Sequence, residues 1–211
     1  MSPGPPDRLV AFLEDGRRLG FLGPGDVRPH VEHAEAFAAA LVDASGGRPP
    51  ASLADLGSGG GLPGVVLARL WPSTRVLLVD ASHRRCEHLR TVGGRLDLDN
   101  VEVAEGRAEE LAHRIEYRET FDAVTARSLD TPARTAELAC GFLRVGGVAV
   151  VSEPPDARAG RWPEAGLAAL GFGPARRVAH GGRHFVALPK VDTTPAGVPR
   201  PTRRLVKQPA W

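Results

Sequence analysis

The sequence predicts a doubly wound α/β fold, in which helices flank a mainly parallel sheet of seven strands and the last strand runs antiparallel. Three observations predict this fold. Short apolar segments alternate with longer helical segments between residues 51 and 189. A glycine-rich turn at 57–61 separates the first apolar segment from the helix after it. The pair Gly181 and Gly182 joins the last two apolar segments and is typical of a β-hairpin.

The first 48 residues predict a helical extension without a strand. A helical stripe of apolar side chains is formed by Leu9, Phe12, Leu13 and Leu19. Glycines and a proline at 20–25 break this helix, and a second helix is predicted at 27–42. The segment 46–50, rich in glycine and proline, marks the boundary with the α/β domain.

The remaining elements follow from the same alternation. Strands are predicted at 51–56, 75–80, 101–104, 121–126, 147–152, 175–180 and 183–188. Helices are predicted between them at about 62–71, 82–96, 107–115, 130–143 and 161–170. The predicted regions are the helical extension (1–48), the α/β domain (49–190) and a basic, proline-rich tail (191–211).

Composition argues against several classes of protein. The net charge of +2 is too small to indicate nucleic-acid binding by itself. No apolar run approaches the ~20 residues of a membrane-spanning helix, and the N-terminus lacks the basic start and apolar core of a secretory signal. Cys86 and Cys140 are far apart and lack metal-ligand spacing, which indicates reduced thiols in a cytoplasmic protein. The seven histidines are scattered, so no metal site is expected.

The loop after the first strand indicates a nucleotide-type cofactor. Its glycines at 57, 59 and 61 let the backbone approach a ligand without a Cβ in the way. A dinucleotide fingerprint would need a glycine where this chain has Leu62, and the carboxylate of Asp55 would repel a pyrophosphate. The same carboxylate suits a cationic cofactor such as S-adenosylmethionine, which carries a sulfonium and an ammonium group. A tight turn that binds no ligand is the alternative.

The second strand ends in a carboxylate, Asp80, which follows Asp55 by 25 residues, the length of one strand–helix–strand unit. An acid at this position accepts hydrogen bonds from ribose hydroxyls in nucleotide-binding sites. The glycine turn, the two acids and the strand–helix alternation together predict a class I, Rossmann-like, S-adenosylmethionine-dependent methyltransferase.

Four motifs resemble those of the bacterial 16S ribosomal RNA guanine-N7 methyltransferases, also called the glucose-inhibited division protein B family, over about half of the chain. They are Asp55-Leu-Gly-Ser-Gly-Gly-Gly-Leu-Pro-Gly64, Asp80-Ala-Ser-His-Arg-Arg85 followed by Leu89-Arg90, Gly106-Arg-Ala-Glu-Glu110, and Phe121-Asp-Ala-Val-Thr-Ala-Arg-Ser128. The resemblance implies methyl transfer to N7 of a guanine, with S-adenosylmethionine as cofactor and ribosomal RNA or the small ribosomal subunit as partner. Guanine N7 has an available lone pair, so this reaction needs no general base.

The resemblance also implies roles for particular residues. Ala108 and Glu109 would lie at the adenine, and Arg127 would lie at the mouth of the active site and act in catalysis. The predicted cofactor-binding set is Asp55, Gly57, Ser58, Gly59, Leu62, Asp80, Ala108, Glu109 and Arg127. Simpler alternatives are an acid in a first helical turn, favoured by the helix dipole, for Glu109, and a salt bridge to a surface acid for Arg127.

Two features depart from the family pattern. The N-terminal helices lack its Asn-Leu-Thr stretch, and Glu153 stands where the family has a Lys-Gly pair after the fifth strand. Glu153 is predicted to contact the substrate, as a general base or a ligand for an amine, and a solvated charge is the alternative. Because Glu153 reverses the charge where an RNA would arrive, a methyltransferase for a small molecule stays open. The acidic loop argues against a nicotinamide oxidoreductase, and Asp80 and Arg127 argue against a binding protein without catalysis.

The tail allows two interpretations. It could be an arm that contacts RNA phosphates through Arg203, Arg204 and Lys207. It could instead be a terminus that packs against the domain through Leu205 and Trp211. The sequence does not decide between them, and it does not indicate an oligomeric state.

Overall fold

The computed structural model describes residues 5–211, with side chains described from residue 8 onwards. The helices are α1 (Pro5–Arg18), α2 (Arg28–Ala44), α3 (Gly64–Leu70), α4 (His83–Arg90), α5 (Val92–Leu96), α6 (Ala108–Leu111), α7 (Pro132–Cys140), α8 (Glu164–Ala168) and α9 (Thr202–Lys207). The strands are β1 (Ser52–Leu56), β2 (Arg75–Asp80), β3 (Val101–Glu105), β4 (Phe121–Ala126), β5 (Leu143–Glu153), β6 (Arg176–His180) and β7 (Arg183–Pro189). Residues 1–4, on which the expectation about a secretory signal partly rests, lie outside the described residues. Within residues 5–211, no helix combines the length and apolar character needed to cross a membrane.

The seven strands form one sheet in the order β3-β2-β1-β4-β5-β7-β6. Strands β1 to β5 pair in parallel, and β7 pairs antiparallel with both β5 and β6. At the β6–β7 turn, Gly181 and Gly182 have φ of 55° and 69°, the positive values that a two-residue type I′ hairpin requires. The predicted doubly wound sheet with an antiparallel last strand is confirmed.

The five helices predicted within the α/β domain have narrower bounds in the structure. Those at 62–71, 107–115 and 161–170 are reduced to Gly64–Leu70, Ala108–Leu111 and Glu164–Ala168, and the other two change as follows. The segment 82–96 forms two helices, α4 and α5, which break at Thr91, where the hydroxyl donates to the His88 carbonyl at 2.7 Å. The segment 130–143 stays helical only to Cys140, because Leu143 already pairs with Phe121 as the first residue of β5.

The two N-terminal helices pack against one face of the sheet and belong to its core. Leu9, Phe12 and Leu13 of α1 are buried in one hydrophobic cluster with Phe37 of α2 and with residues of β1, β5 and β7. The assignment of Leu19 to the helical stripe was wrong, since α1 ends before it and its side chain is 47% exposed. Helix α2 contacts β5, β6 and β7, so it brings its polar residues to the edge of the sheet where these strands end.

The C-terminal segment runs back across the other face of the sheet. Arg200 donates to both carboxylate oxygens of Glu137 on α7, from Nε to Oε1 at 2.7 Å and from Nη2 to Oε2 at 2.6 Å. Leu205 of α9 is buried in the hydrophobic cluster on that face, and the indole Nε1 of Trp211 donates to the Arg161 carbonyl at 3.1 Å. The tail therefore packs through Leu205 and Trp211, as its second interpretation anticipates.

Candidate active site

The order in which the chain adds strands to the sheet reverses between β1 and β4, and the candidate site lies at this point. From β1 the chain moves outward to β2 and β3, and from β4 it moves the other way to β5. In open α/β sheets a crevice opens at the carboxyl ends of the strands on either side of such a reversal, and ligands bind there. The glycine loop follows β1 and Arg127 follows β4, so both lie at this crevice.

The glycine loop at 57–61 is held against β2 by hydrogen bonds. Gly57 donates its N–H to the Val79 carbonyl at 2.9 Å. The Ser58 hydroxyl accepts from the Val79 N–H at 3.1 Å and donates to the Asp55 carbonyl at 2.8 Å. Gly57 has φ of 69°, and a Cβ there would lie 2.6 Å from Cδ1 of Leu129. This position therefore requires glycine for its backbone conformation and for close packing.

Asp55 lies beneath the loop and faces the interior. Its side chain is only 1% exposed; Oδ1 accepts from the Thr125 hydroxyl at 2.8 Å and Oδ2 from the Gly64 N–H at 3.1 Å. Burial raises the pKa of Asp55 to about 6, although its hydrogen bonds and the nearby Arg127 cation act to lower it. The hydrogen bonds of Asp55 thus connect the start of α3 to β4. Because its side chain is buried, Asp55 can act on a bound ligand only by long-range electrostatic interaction and not by direct contact.

Asp80 lies at the carboxyl end of β2, beside the glycine loop. Its Oδ2 accepts from the Gly59 N–H at 2.9 Å, its Oδ1 accepts from the Ser82 N–H at 2.9 Å, and Nη1 of Arg85 lies 3.5 Å from Oδ2. An ionised carboxylate has about four acceptor positions, so each oxygen of Asp80 keeps capacity for another donor. The geometry suits two adjacent ribose hydroxyls.

A cavity of about 230 Å³, here called the cofactor cavity, brings together several of the predicted residues. Its lining includes Gly57, Asp80, Ala108 and Glu109. Ser58 and Leu62 do not line it, because both are 2% exposed and Leu62 packs in the hydrophobic cluster beneath the loop. Asp55, Ser58 and Leu62 instead shape the loop from below, and the remaining predicted residues, Gly59 and Arg127, do not line this cavity.

The cofactor cavity is also lined by two groups of residues that the sequence analysis did not indicate. One is the ion pair of Asp130 and Arg134, 2.9 Å apart at the start of α7. The other is α9, from which the Thr202 hydroxyl donates to Oε1 of the buried Glu109. Thr202 is 93 positions from Glu109, so no local pattern could have found this contact. The burial of Leu205, by contrast, could be expected from the sequence, because it is an apolar residue next to charged ones.

Arg127 is partly buried at the end of β4. Burial lowers the pKa of its guanidinium, and the Asp55 carboxylate opposes that shift. Among the residues with described side chains, no acid lies close enough to form a salt bridge with it. The next residue, Ser128, has φ of 50°, a left-handed conformation that residues other than glycine seldom adopt and that clusters at functional sites.

A second cavity of about 340 Å³, here called the acceptor cavity, adjoins the first. Both are lined by Leu129 and Asp130, so the two cavities meet at the start of the β4–α7 connection. Glu153, the last residue of β5, lines the acceptor cavity together with Arg161 and Trp162.

The acceptor cavity also contains His33 from α2, which stacks on Phe185 with ring centroids 5.5 Å apart. Burial, followed by the nearby Arg127 and Arg183 cations, lowers the pKa of His33 to about 4. The imidazole is therefore neutral at pH 7 and contributes no positive charge to the cavity.

The strand order, the glycine loop after β1 and the carboxylate at the end of β2 define a class I methyltransferase fold. Solved structures share it at low sequence identity. A putative O-methyltransferase from Klebsiella pneumoniae has a TM-score of 0.61 at 18% identity, covering 91% of this chain and 93% of that one. An O-methyltransferase from Bacillus cereus in complex with SAH has a TM-score of 0.61 at 20% identity, covering 87% and 91%.

The chain belongs to the rRNA small subunit methyltransferase G family (GidB), whose sequence profile matches residues 37–153. The ribosomal RNA small subunit methyltransferase G of Lachnoclostridium phytofermentans is 40% identical over 96 residues, which is 46% of this chain and 40% of that protein. The protein of the same name from Desulfitobacterium hafniense is 34% identical over 152 residues, or 72% and 61%. The chain spans about two fifths of the length of the curated relatives it matches first.

Proposed function

We propose that this protein transfers a methyl group from S-adenosylmethionine to N7 of a guanine in 16S ribosomal RNA. One observation carries the proposal: in a member of this family, a cofactor cavity and an acceptor cavity share Leu129 and Asp130 in their walls, two and three residues after Arg127. The small ribosomal subunit would then be the partner and the cytoplasm the location.

The chemistry of the cofactor cavity fits S-adenosylmethionine. Asp80 offers carboxylate oxygens to ribose hydroxyls, and Ala108 and Glu109 lie where the adenine is expected. The buried charge of Asp55 favours a cation nearby and disfavours a pyrophosphate. When bound, the cofactor supplies an electrophilic methyl group on a sulfonium.

The residues after β4 suit an acceptor that needs no deprotonation. Guanine N7 attacks with its own lone pair, so the protein has to hold the base in line and exclude water. Arg127 lines neither cavity, but its half-buried side chain lies at the end of β4, two residues before Leu129, and we propose that it holds the target nucleotide from there. Neither the neutral His33 nor any other basic group is required to remove a proton in this reaction.

The tail supports an RNA substrate through its exposed cations. Arg203, Arg204 and Lys207 are exposed on α9, whereas Arg200 is engaged by Glu137. The three exposed cations lie on the helix that also lines the cofactor cavity, so phosphate contacts there would fall beside the site.

A small-molecule acceptor is the second candidate, and Glu153 is the observation that favours it. The acceptor cavity of about 340 Å³ lies within the ~300–1,000 Å³ range of small-molecule pockets. However, Nε of Arg161 lies 3.2 Å from Oε1 of Glu153, so the reversed charge is neutralised locally. This ion pair weakens the electrostatic argument against RNA.

Mass spectrometry of ribosomal RNA from a strain that lacks the gene tests the proposal. We expect the loss of one 7-methylguanosine from 16S RNA and its recovery when the wild-type gene is returned. The variant Arg48→Ala should also restore it, because Arg48 is exposed and lies before β1, at the amino ends of the parallel strands and away from the site. Arg127→Ala should not restore it, and in purified form should lose turnover more than RNA affinity. An unchanged 7-methylguanosine content would overturn the RNA proposal and leave the small-molecule candidate.

A further inference from the structure

Glu153 has an environment that a solvated charge would not have. Its side chain is only 6% exposed, at the end of β5 in the wall of the acceptor cavity. Oε1 accepts a hydrogen bond from Nε of Arg161 at 3.2 Å, and no hydrogen bond to Oε2 is made within the described part of the chain. Oε2 is not fully enclosed by protein atoms, and Glu153 lines the acceptor cavity, so this oxygen is free to accept a hydrogen bond from a bound group.

Trp162 adds an aromatic wall beside this carboxylate. It lines the same cavity and packs edge-on against Trp211, with ring centroids 6.4 Å apart. Its indole Nε1 is buried and has no hydrogen-bond partner among the described residues. The cavity therefore combines a flat apolar surface with a carboxylate, the pair of features that binds a base taken out of an RNA stack.

Guanine is the base whose chemistry matches a carboxylate. Its Watson–Crick edge presents two adjacent donors, N1–H and the 2-amino group. Adenine and cytosine present an acceptor next to their amino group, and uracil presents a single N–H between two carbonyls. The two donors of guanine can meet both oxygens of one carboxylate, while N7 lies on a different edge of the purine and stays free to receive a methyl group.

We infer that Glu153 reads the Watson–Crick edge of the target guanine in the acceptor cavity, with Trp162 as the wall against which the base lies. The inference rests on the proposed function and names the residue that selects its base. It places N7 towards Leu129 and Asp130, where the acceptor cavity meets the cofactor cavity.

Arg161 makes this role compatible with an anionic substrate. Its guanidinium offsets the charge of Glu153, and its carbonyl accepts from Nε1 of Trp211, so its backbone is held in place. Removing Arg161 would leave a buried carboxylate without its cation. We therefore expect Arg161 to position Glu153 rather than to contact the base.

The test compares guanosine with inosine, which lacks only the 2-amino group. A 16S transcript is assembled by ligation with either nucleoside at the modified position identified by mass spectrometry, and kcat/KM is measured for each. The wild-type protein should prefer guanosine by about 10- to 100-fold, the scale of a good bidentate base contact. Glu153→Gln should reduce activity on guanosine and bring the guanosine-to-inosine ratio close to one.

The matched control is Asp156→Asn, which removes a charge from an exposed position in the same loop and should keep the wild-type ratio. A wild-type ratio of one, or a Glu153→Gln variant with the wild-type ratio, overturns the inference while the proposed function stands. A wild-type protein that binds S-adenosylhomocysteine but methylates neither transcript overturns both. A general base would instead show equal losses on the two transcripts and an altered pH profile.

Discussion

The buried carboxylate of Asp55 predicts a specific dependence of stability on pH. Its pKa rises from the usual 3.8 to about 6 in the folded protein, because burial disfavours the charged form. A folded state with the higher pKa binds the proton more tightly than the unfolded state does. The stability that this group contributes is therefore fully present below about pH 3.8 and is lost as the pH rises through about 6.

The expected magnitude is about 3 kcal/mol, since each pKa unit corresponds to about 1.4 kcal/mol. Asp55→Asn removes the titration and keeps an oxygen that can accept from the Gly64 N–H. The free energy of unfolding of the wild type should thus fall relative to that of the variant between about pH 4 and pH 7. In Arg127→Ala the fall should be larger, because the cation that lowers the pKa of Asp55 has been removed.

Urea unfolding followed by circular dichroism at several pH values measures this difference. Other groups titrate in the same range, so the comparison is between variants at each pH. Asp99→Asn is the control, since Asp99 is exposed and its variant should follow the wild type. Parallel pH profiles for wild type and Asp55→Asn would refute the reasoning and would mean that Asp55 titrates normally.

Three further predictions concern the cofactor cavity and the tail. Asp80→Asn should weaken S-adenosylhomocysteine binding by about 1.5–3 kcal/mol in calorimetry, and unchanged affinity in a folded variant would exclude the ribose contact. Arg200→Gln should lower the free energy of unfolding by about 3–5 kcal/mol, because it removes the cation from the buried Glu137 carboxylate and keeps only the backbone N–H of residue 200 at Oε1, and a loss below 1 kcal/mol would show that the pair is replaced by water. Neutralising Arg203, Arg204 and Lys207 together should flatten the salt dependence of RNA binding by roughly 0.7 units of slope per lost contact, whereas an unchanged slope would exclude phosphate contacts by the tail.

The fold could be predicted because its main signals are local. In β2, residues from Val76 to Asp80 are buried, which appears in the sequence as a continuous apolar run ending in one acid. Gly57 has a positive φ, and the cluster of glycines that follows it in the sequence indicated that the backbone turns there. Leu19 was misassigned because apolar spacing continues past the end of α1, where the chain leaves the helix.

The site could be predicted only in part because its second half depends on contacts between distant segments. The sequence marked Asp55 as acidic but did not show that Thr125, 70 positions away, would turn it inward. It marked Glu153 as a charge reversal, but it placed the compensating Arg161 in a predicted helix at 161–170, whereas α8 begins only at Glu164 and Arg161 lies in the loop before it. Such contacts follow from the packing of the whole domain, which no local spacing encodes.

The contact between Trp162 in the wall of the acceptor cavity and Trp211 behind it gives the protein an internal fluorescent probe. The chain has three tryptophans: Trp162 lines that cavity, Trp211 packs against Trp162, and Trp71 lies at the end of α3. In a Trp71→Phe variant, all of the indole emission would come from Trp162, against which the substrate base is expected to lie, and from its neighbour Trp211. Quenching by an added RNA fragment would then report occupancy of the cavity directly, without any methyl transfer.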